Sequence, residues 1–166
     1  MALVLDPRPL TREAFAPFGE VIETEGANHY PINEGTTTRF HDLARVDVAA
    51  GDGRPLISIF RGLARPQPIR LALMERHPLA SQAFYPLSDH PWLVVVAAGD
   101  DPLVRDNLVC FAASGRQGVN YARGVWHHPL LVLEPSQDFL IVDRGDLGGN
   151  LEERRFTPGD AVLISV

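Results

Sequence analysis

Glycine and proline interrupt this chain before any helical repeat can establish itself: each occurs 14 times in 166 residues. Proline fixes φ and removes a backbone donor, and glycine weakens a helix interior, so the segments between them are left as short elements joined by turns. Those segments are apolar or alternating. The expected strands are Val21 to Glu23, Arg39 to Leu43, Leu56 to Phe60, Ile69 to His77, Trp92 to Ala98, Leu108 to Ala112, Val125 to Leu133 and Phe139 to Val142. The clearest helical start is Thr11-Arg12-Glu13-Ala14-Phe15, where Thr11 can cap the first amides and Gly19 lies just beyond Pro17 and Phe18. Gly51-Asp52-Gly53 and Asp143-Arg144-Gly145-Asp146 carry turn chemistry, and Leu147-Gly148-Gly149-Asn150 opens a looser C-terminal segment. So many short strands predict a mostly β chain, a sandwich or a closed barrel with one or a few short helices, because either arrangement covers sheet edges.

The length suits a single domain over residues 1–166, with no internal repeat or linker. A 45% hydrophobic content is enough for a packed core and argues against disorder. The net charge of -6 offers no basic field, which excludes nucleic acid and anionic membrane as expected partners and leaves small molecules. No apolar run approaches membrane length and the start carries no basic leader, so a cytoplasmic location is expected. The lone Cys110, in Leu108-Val109-Cys110-Phe111, cannot form an intrachain disulfide and reads as a small buried hydrophobe.

Chemistry concentrates in two segments. If Ile69 to His77 is one strand, side chains alternate, so Ile69, Leu71 and Leu73 share a face with Glu75 and His77 while Arg70 and Arg76 point away. A face that ends in a carboxylate and an imidazole suits a barrel interior with a polar pocket at one end. An equally simple reading has both residues emerging from the core at a strand end. In Val125-Trp126-His127-His128-Pro129-Leu130-Leu131, His127 shares a face with Val125 and Leu131, which turns it inward and His128 outward. Adjacent histidines on a regular strand cannot both ligate one metal.

Other candidates stand alone. Arg39, in Thr38-Arg39-Phe40-His41-Asp42, and Arg61, after Leu56-Ile57-Ser58-Ile59-Phe60, are each able to hold a carboxylate bidentately, and each is equally a surface cation. Asn120 and Tyr121, in Gly118-Val119-Asn120-Tyr121, offer neutral hydrogen bonds to a small polar ligand or serve as turn residues. There is no glycine-rich phosphate loop, paired CxxC, nucleophile elbow or HExxH, so phosphoryl transfer, zinc-finger and α/β-hydrolase readings lose their support and no organic cofactor is implied.

Taken in order, Glu75-Arg76-His77-Pro78, Gln82-Ala83-Phe84, Gly118-Val119-Asn120-Tyr121 and Trp126-His127-His128-Pro129 resemble the ureidoglycolate lyases of allantoin degradation. The resemblance extends through Leu10 to Glu23, Phe40-His41-Asp42, Leu56-Ile57-Ser58-Ile59 and Asp138 to Gly145, and fades after Gly149. It implies a cupin-like antiparallel β-barrel, a homodimer, and elimination of urea from ureidoglycolate to leave glyoxylate. Metal-binding cupins carry His-x-His on one strand, then Glu, then a distant His; Glu75-x-His77, Gln82 and Gly124-x-x-His127 resemble that set. Glu75 replaces a usual histidine and Gln82 a usual glutamate. Two alternatives follow: a first-row divalent ion, Ni²⁺ being the one associated with the family, held by Glu75, His77, Gln82 and His127, or a metal-free pocket. In the implied roles Glu75 or His77 takes the hydroxyl proton and His127 assists the leaving urea. Arg61 or Arg39 anchors the carboxylate, and Gln82, Asn120, Tyr121 and His128 contact the substrate. The alternatives are another metal-dependent cupin-type enzyme on a small acid, an ammonia-releasing amidohydrolase, and a non-catalytic barrel that binds a small ligand.

Overall fold

The computed structural model describes residues 2–145 and 148–166. After β1 (Leu3–Leu5) and β2 (Arg8–Pro9) come α1 (Arg12–Phe15), β3 (Gly19–Ile22), β4 (His29–Ile32) and β5 (Thr37–Phe40). The chain continues through β6 (Arg54–Leu63), β7 (Ile69–Arg70), β8 (Leu73–Arg76), β9 (Gln82–Pro86) and β10 (Trp92–Ala97). It then forms β11 (Leu108–Ala113), β12 (Gly118–Tyr121), β13 (Trp126–His127), β14 (Leu131–Val132), β15 (Ser136–Gly145), β16 (Glu152–Arg155) and β17 (Val162–Ile164). The mostly β class with a short helix is as expected. Thr11 caps α1 as its position suggested, its hydroxyl accepting from the Ala14 amide at 3.2 Å, and the helix exists to deliver Phe15 into the core.

Two sheets face one another. One has the order β3-β12-β9-β15-β6; the other runs β16-β8-β13-β10-β11-β2, with β14 also on β10. Between them lies the larger core, in which Phe84, Val119, Tyr121, Phe139 and Ile141 meet Trp92, Val94, Val96 and Phe111. Trp92 and Phe139 pack edge-on at 4.8 Å between ring centres, a favourable arrangement for two aromatic quadrupoles. The second sheet is buried on its back as well, where Met74, Leu93, Val95, Cys110 and Trp126 pack on β7 and β17. That explains why β10 reads Trp-Leu-Val-Val-Val-Ala without alternation: all six residues are buried. Among the described residues the ladders remain separate open sheets, and β1–β17 and β2–β11 pair in parallel, so the structure departs from a wholly antiparallel ring.

Three sequence expectations require correction. The segment from Ile69 to His77 is two strands, broken at Leu71-Ala72, where the Leu71 amide bonds the Val162 carbonyl and the Ala72 carbonyl accepts from Phe156. The break resets the alternation. Ile69 and Leu71 join Met74 in the rear core, whereas Glu75 and His77 lie on the opposite side of the sheet. The expected strand from Val125 to Leu133 is likewise interrupted: the His128 amide still bonds the Val95 carbonyl in line with the β13–β10 pairing, and the break follows at Pro129, which has no amide to donate. Finally, Asp143-Arg144-Gly145 is strand rather than turn: β15 pairs with β6 as far as Gly145–Arg54. Arg144, 8% exposed, donates to the carbonyls of Val48, Ala50 and Gly51. Asp146 and Leu147, also part of those turn and segment expectations, lie outside the described residues.

Gly62 sets the distance between the sheets at one edge. A β-carbon there would fall 2.7 Å from Val132 Cγ1 and 3.0 Å from Leu130 Cδ2, so the absence of a side chain lets β6 approach β14.

Candidate active site

Glu75 and His127 are direct cross-strand partners on β8 and β13, and His127 is in turn opposite Val96 on β10. Residues opposite one another share a face, so the register alone delivers the carboxylate and the imidazole to the front core. His77 follows one residue past β8, its ring 5.3 Å from that of His127. Ligating atoms of Glu75, His77 and His127 all lie within 4.8 Å of one another. From the facing sheet Tyr121 stacks on His127 at 4.1 Å with the rings 10° from parallel.

The side chains differ in access. Glu75 is 19% exposed and His127 1%. Glu75 lines an open groove of about 620 Å³ together with Phe60, Arg65, Phe84, Pro129 and Leu130; His77 and Gln82 line a second cavity of about 280 Å³ with Asp143 and Asn150. His127 Nε2 lies 3.5 Å behind Glu75 Oε1, too long for a good hydrogen bond, and otherwise has no partner. Burial pushes the Glu75 carboxyl up, but the His127 contact and the charges of His127, His77 and His128 outweigh it and hold the group below its ordinary range. Glu75 is therefore ionised at neutral pH. Burial raises the Tyr121 phenol, and the Glu75 charge raises it further, so Tyr121 keeps its proton.

His128 is buried, 3% exposed, which overturns its expected outward orientation; both faces of this sheet are covered, so a side chain turned away from His127 is not thereby exposed. Burial lowers its imidazole to about 4, with Arg65 and His127 lowering it further and the Pro129 carbonyl and Glu75 opposing. It is neutral at neutral pH, its Nδ1–H on the Pro129 carbonyl at 2.7 Å and its Nε2 without a partner.

The donor set suits a divalent ion. His77 Nδ1 faces the Asn150 carbonyl at 2.7 Å and His127 Nδ1 faces that of Val125 at 3.0 Å, which turns each Nε2 toward the cluster, the usual way a backbone carbonyl orients a metal-binding imidazole. His77 Nε2 also lies 3.1 Å from Gln82 Oε1, while the Gln82 amide donates to Asp143 at 3.2 Å. Two lone pairs cannot share that 3.1 Å contact. Both atoms would be available to hold a cation.

Three expected residues stand apart from the Glu75, His77 and His127 cluster. Arg39 is exposed on β5, and Arg61, on the outer face of β6, is held bidentately by Asp138 at 2.7 and 2.8 Å. Asn120 points to the opposite side of β12 from Tyr121, where its amide donates to Glu20 and to the Arg45 carbonyl. His41 lines a separate cavity of about 360 Å³ with Arg12, Glu20 and Asp42. Gln82 and Tyr121 contact the cluster, and His128 bears on Glu75 through its charge alone. Two further residues escaped the sequence reading. Asp143 alternates correctly with Phe139 and Ile141, but its turn-like neighbours masked that signal. Arg65 lies past the end of β6, where no periodicity could place it.

A family model described as ureidoglycolate lyase matches residues 2–163. A curated ureidoglycolate lyase of Burkholderia mallei (strain NCTC 10229) is 58% identical over 150 residues, 90% of this chain and 88% of that protein. One from Pseudomonas putida (strain W619) is 51% identical over 157 residues, 95% of this chain and 94% of the relative. Among solved structures, a dTDP sugar isomerase from Desulfovibrio desulfuricans G20 aligns over 85% of this chain and 86% of its own, with 13% identity and a TM-score of 0.41. An oxalate decarboxylase of Bacillus subtilis aligns over 62% of this chain and 28% of its own, with 10% identity and a TM-score of 0.36. Neither of these structural likenesses bears on the site.

Proposed function

The chain belongs to the ureidoglycolate lyase family, and from that premise we propose that it eliminates urea from ureidoglycolate at Glu75, leaving glyoxylate. The observation that carries this reading is an ionised carboxylate on the floor of a groove with an imidazole sealed 3.5 Å behind it. The elimination breaks the substrate O–H and C–N bonds and forms a carbonyl, so one proton leaves oxygen and one arrives at nitrogen. Glu75 is the cluster member that is both ionised and open to the groove. It takes the hydroxyl proton, the oxygen's electron pair forms the carbonyl, the C–N pair departs with the nitrogen, and the same carboxyl returns the proton to the departing urea. His127 acts through Glu75 and is a positioning residue. Gln82, tied to Asp143, orients His77, and Tyr121 packs His127 in place.

A divalent ion fits at Glu75, His77 Nε2 and His127 Nε2, with Gln82 Oε1 beside them, and would supply polarisation of the substrate's hydroxyl and carboxylate oxygens. Ni²⁺ is the ion we propose. We further propose a cytoplasmic homodimer. No helix among the described residues is long and apolar enough to cross a membrane, and the outer face of β6 carries Ile57, Ile59 and Leu63, exposed by 75%, 55% and 67%, as a subunit contact would require.

Glu75→Gln keeps the shape and removes the base. The expected loss in kcat is about 100-fold or more with the thermal transition retained; a folded E75Q enzyme with near-normal kcat would remove Glu75 from the reaction. In His127→Asn the acid limb of kcat/KM should move to higher pH, because the group that holds Glu75 low is gone. An unmoved limb would separate His127 from Glu75.

A further inference from the structure

We propose that Arg65, rather than either arginine expected from the sequence, binds the carboxylate of the substrate. The proposal rests on the lyase reading, which supplies a substrate with a carboxylate on the reacting carbon. Arg65 and Glu75 line the same groove, with Phe60 and Phe84 between the two sheets and Pro129 and Leu130 beyond. Its position is set by the chain around it: the Ala64 amide bonds the Pro135 carbonyl at 3.4 Å, and Gly62 is pressed against Leu130 and Val132.

What distinguishes Arg65 is that it lacks a partner while half-buried, whereas Arg39, Arg45 and Arg54 are exposed. Arg12, Arg61, Arg76, Arg116 and Arg123 each meet a carboxylate, and Arg144 is bound by three backbone carbonyls. Among the described residues Arg65 has no hydrogen bond and no ion pair, although it is half-buried. A guanidinium withdrawn from water without an acceptor is costly, and a bound carboxylate would satisfy its planar pair of donors. Its charge acts on His128, which places it beside the cluster rather than out on the rim. Arg61 lines the same groove, but Asp138 already occupies its bidentate edge.

With the carboxylate on Arg65, the hydroxyl and ureido nitrogen on the adjoining carbon are left to Glu75. This geometry makes Arg65 a specificity residue, since it separates ureidoglycolate from neutral adducts of urea that carry the same hydroxyl and nitrogen.

The test compares wild-type enzyme, as purified and after Ni²⁺ loading, with Arg65→Gln, Arg65→Lys and Arg61→Gln. Kinetics on ureidoglycolate are paired with calorimetric binding of glyoxylate and of urea. R65Q is expected to raise KM and weaken glyoxylate binding, each by about 10- to 100-fold, while urea binding is unchanged and R65K recovers part of the loss. A merely structural role would weaken urea as well. Unchanged KM and glyoxylate affinity in R65Q, or an equal loss in R61Q, would overturn the assignment while leaving the lyase intact. If wild-type enzyme fails to turn over ureidoglycolate, the lyase reading falls; glyoxylate binding by wild type that is lost in R65Q would still support Arg65 as a carboxylate site, and binding that survives in R65Q would overturn it.

Discussion

His128 shows how much one buried side chain can impose. In the folded protein its imidazole is held at about 4 by burial, whereas in an unfolded chain it titrates near 6.5. Between those values the unfolded chain binds more protons, so stability rises with pH across that window and is lost as the pH falls through it. The contribution is on the order of 3 kcal/mol. Chelator-treated protein should therefore lose stability between about pH 6.5 and pH 4, and His128→Asn should flatten that slope in urea-denaturation midpoints. An unchanged slope would mean that His128 is not neutral in the fold. Glu75, depressed rather than raised, adds stability that is present above the ordinary carboxylate range and lost only at more acid pH. Asp143 acts more locally. Asp143→Ala removes the acceptor that orients the Gln82 amide, and is expected to weaken binding of the proposed Ni²⁺ by about 10-fold or more, read by competition with a chromogenic chelator. Unaltered affinity would detach Asp143 and Gln82 from the ion.

At the scale of elements, the active-site floor depends on the cross-strand register that pairs Glu75 with His127. The sequence reading found both residues and joined them to His77, because each lies next to alternating apolar positions. It placed them for an incomplete reason. Ile69 and Leu71 were expected to share their face, yet the break at Leu71-Ala72 assigns those residues to the rear core; an alternation of period two contains nothing that marks a two-residue interruption. Short pieces such as β2, β16 and β17 were missed because their stability comes from parallel or edge pairing with distant strands, which local pattern does not record. Arg61 was favoured over Arg65 for a similar reason, since nothing in the sequence announces Asp138 as its partner across 77 residues. Gly62 provides a test at this scale. Gly62→Val would place new methyl groups against Val132 and Leu130, costing about 1–3 kcal/mol and narrowing the groove, so KM should rise along with a lower denaturation midpoint. Unchanged stability and KM would mean that β6 and β14 are not in close contact.

For the whole molecule, two sheets with a shared aromatic core hold one acidic groove residue against three histidines, and membership of the ureidoglycolate lyase family gives that arrangement its reaction. The apolar outer face of β6 belongs to the same scale: replacing Ile57 and Ile59 together by Glu should convert the proposed dimer into a monomer in sedimentation, and an unaltered sedimentation coefficient would contradict a contact at this face. The central claim is that the protein splits ureidoglycolate without hydrolysing its amide. Its most direct test is to incubate the purified protein with racemic ureidoglycolate, with chelator or with Ni²⁺, and to quantify glyoxylate, urea and ammonia against the uncatalysed reaction. The account predicts glyoxylate and urea in equal amounts, well above background and without ammonia. Ammonia in place of urea, or no acceleration under either condition, would contradict it.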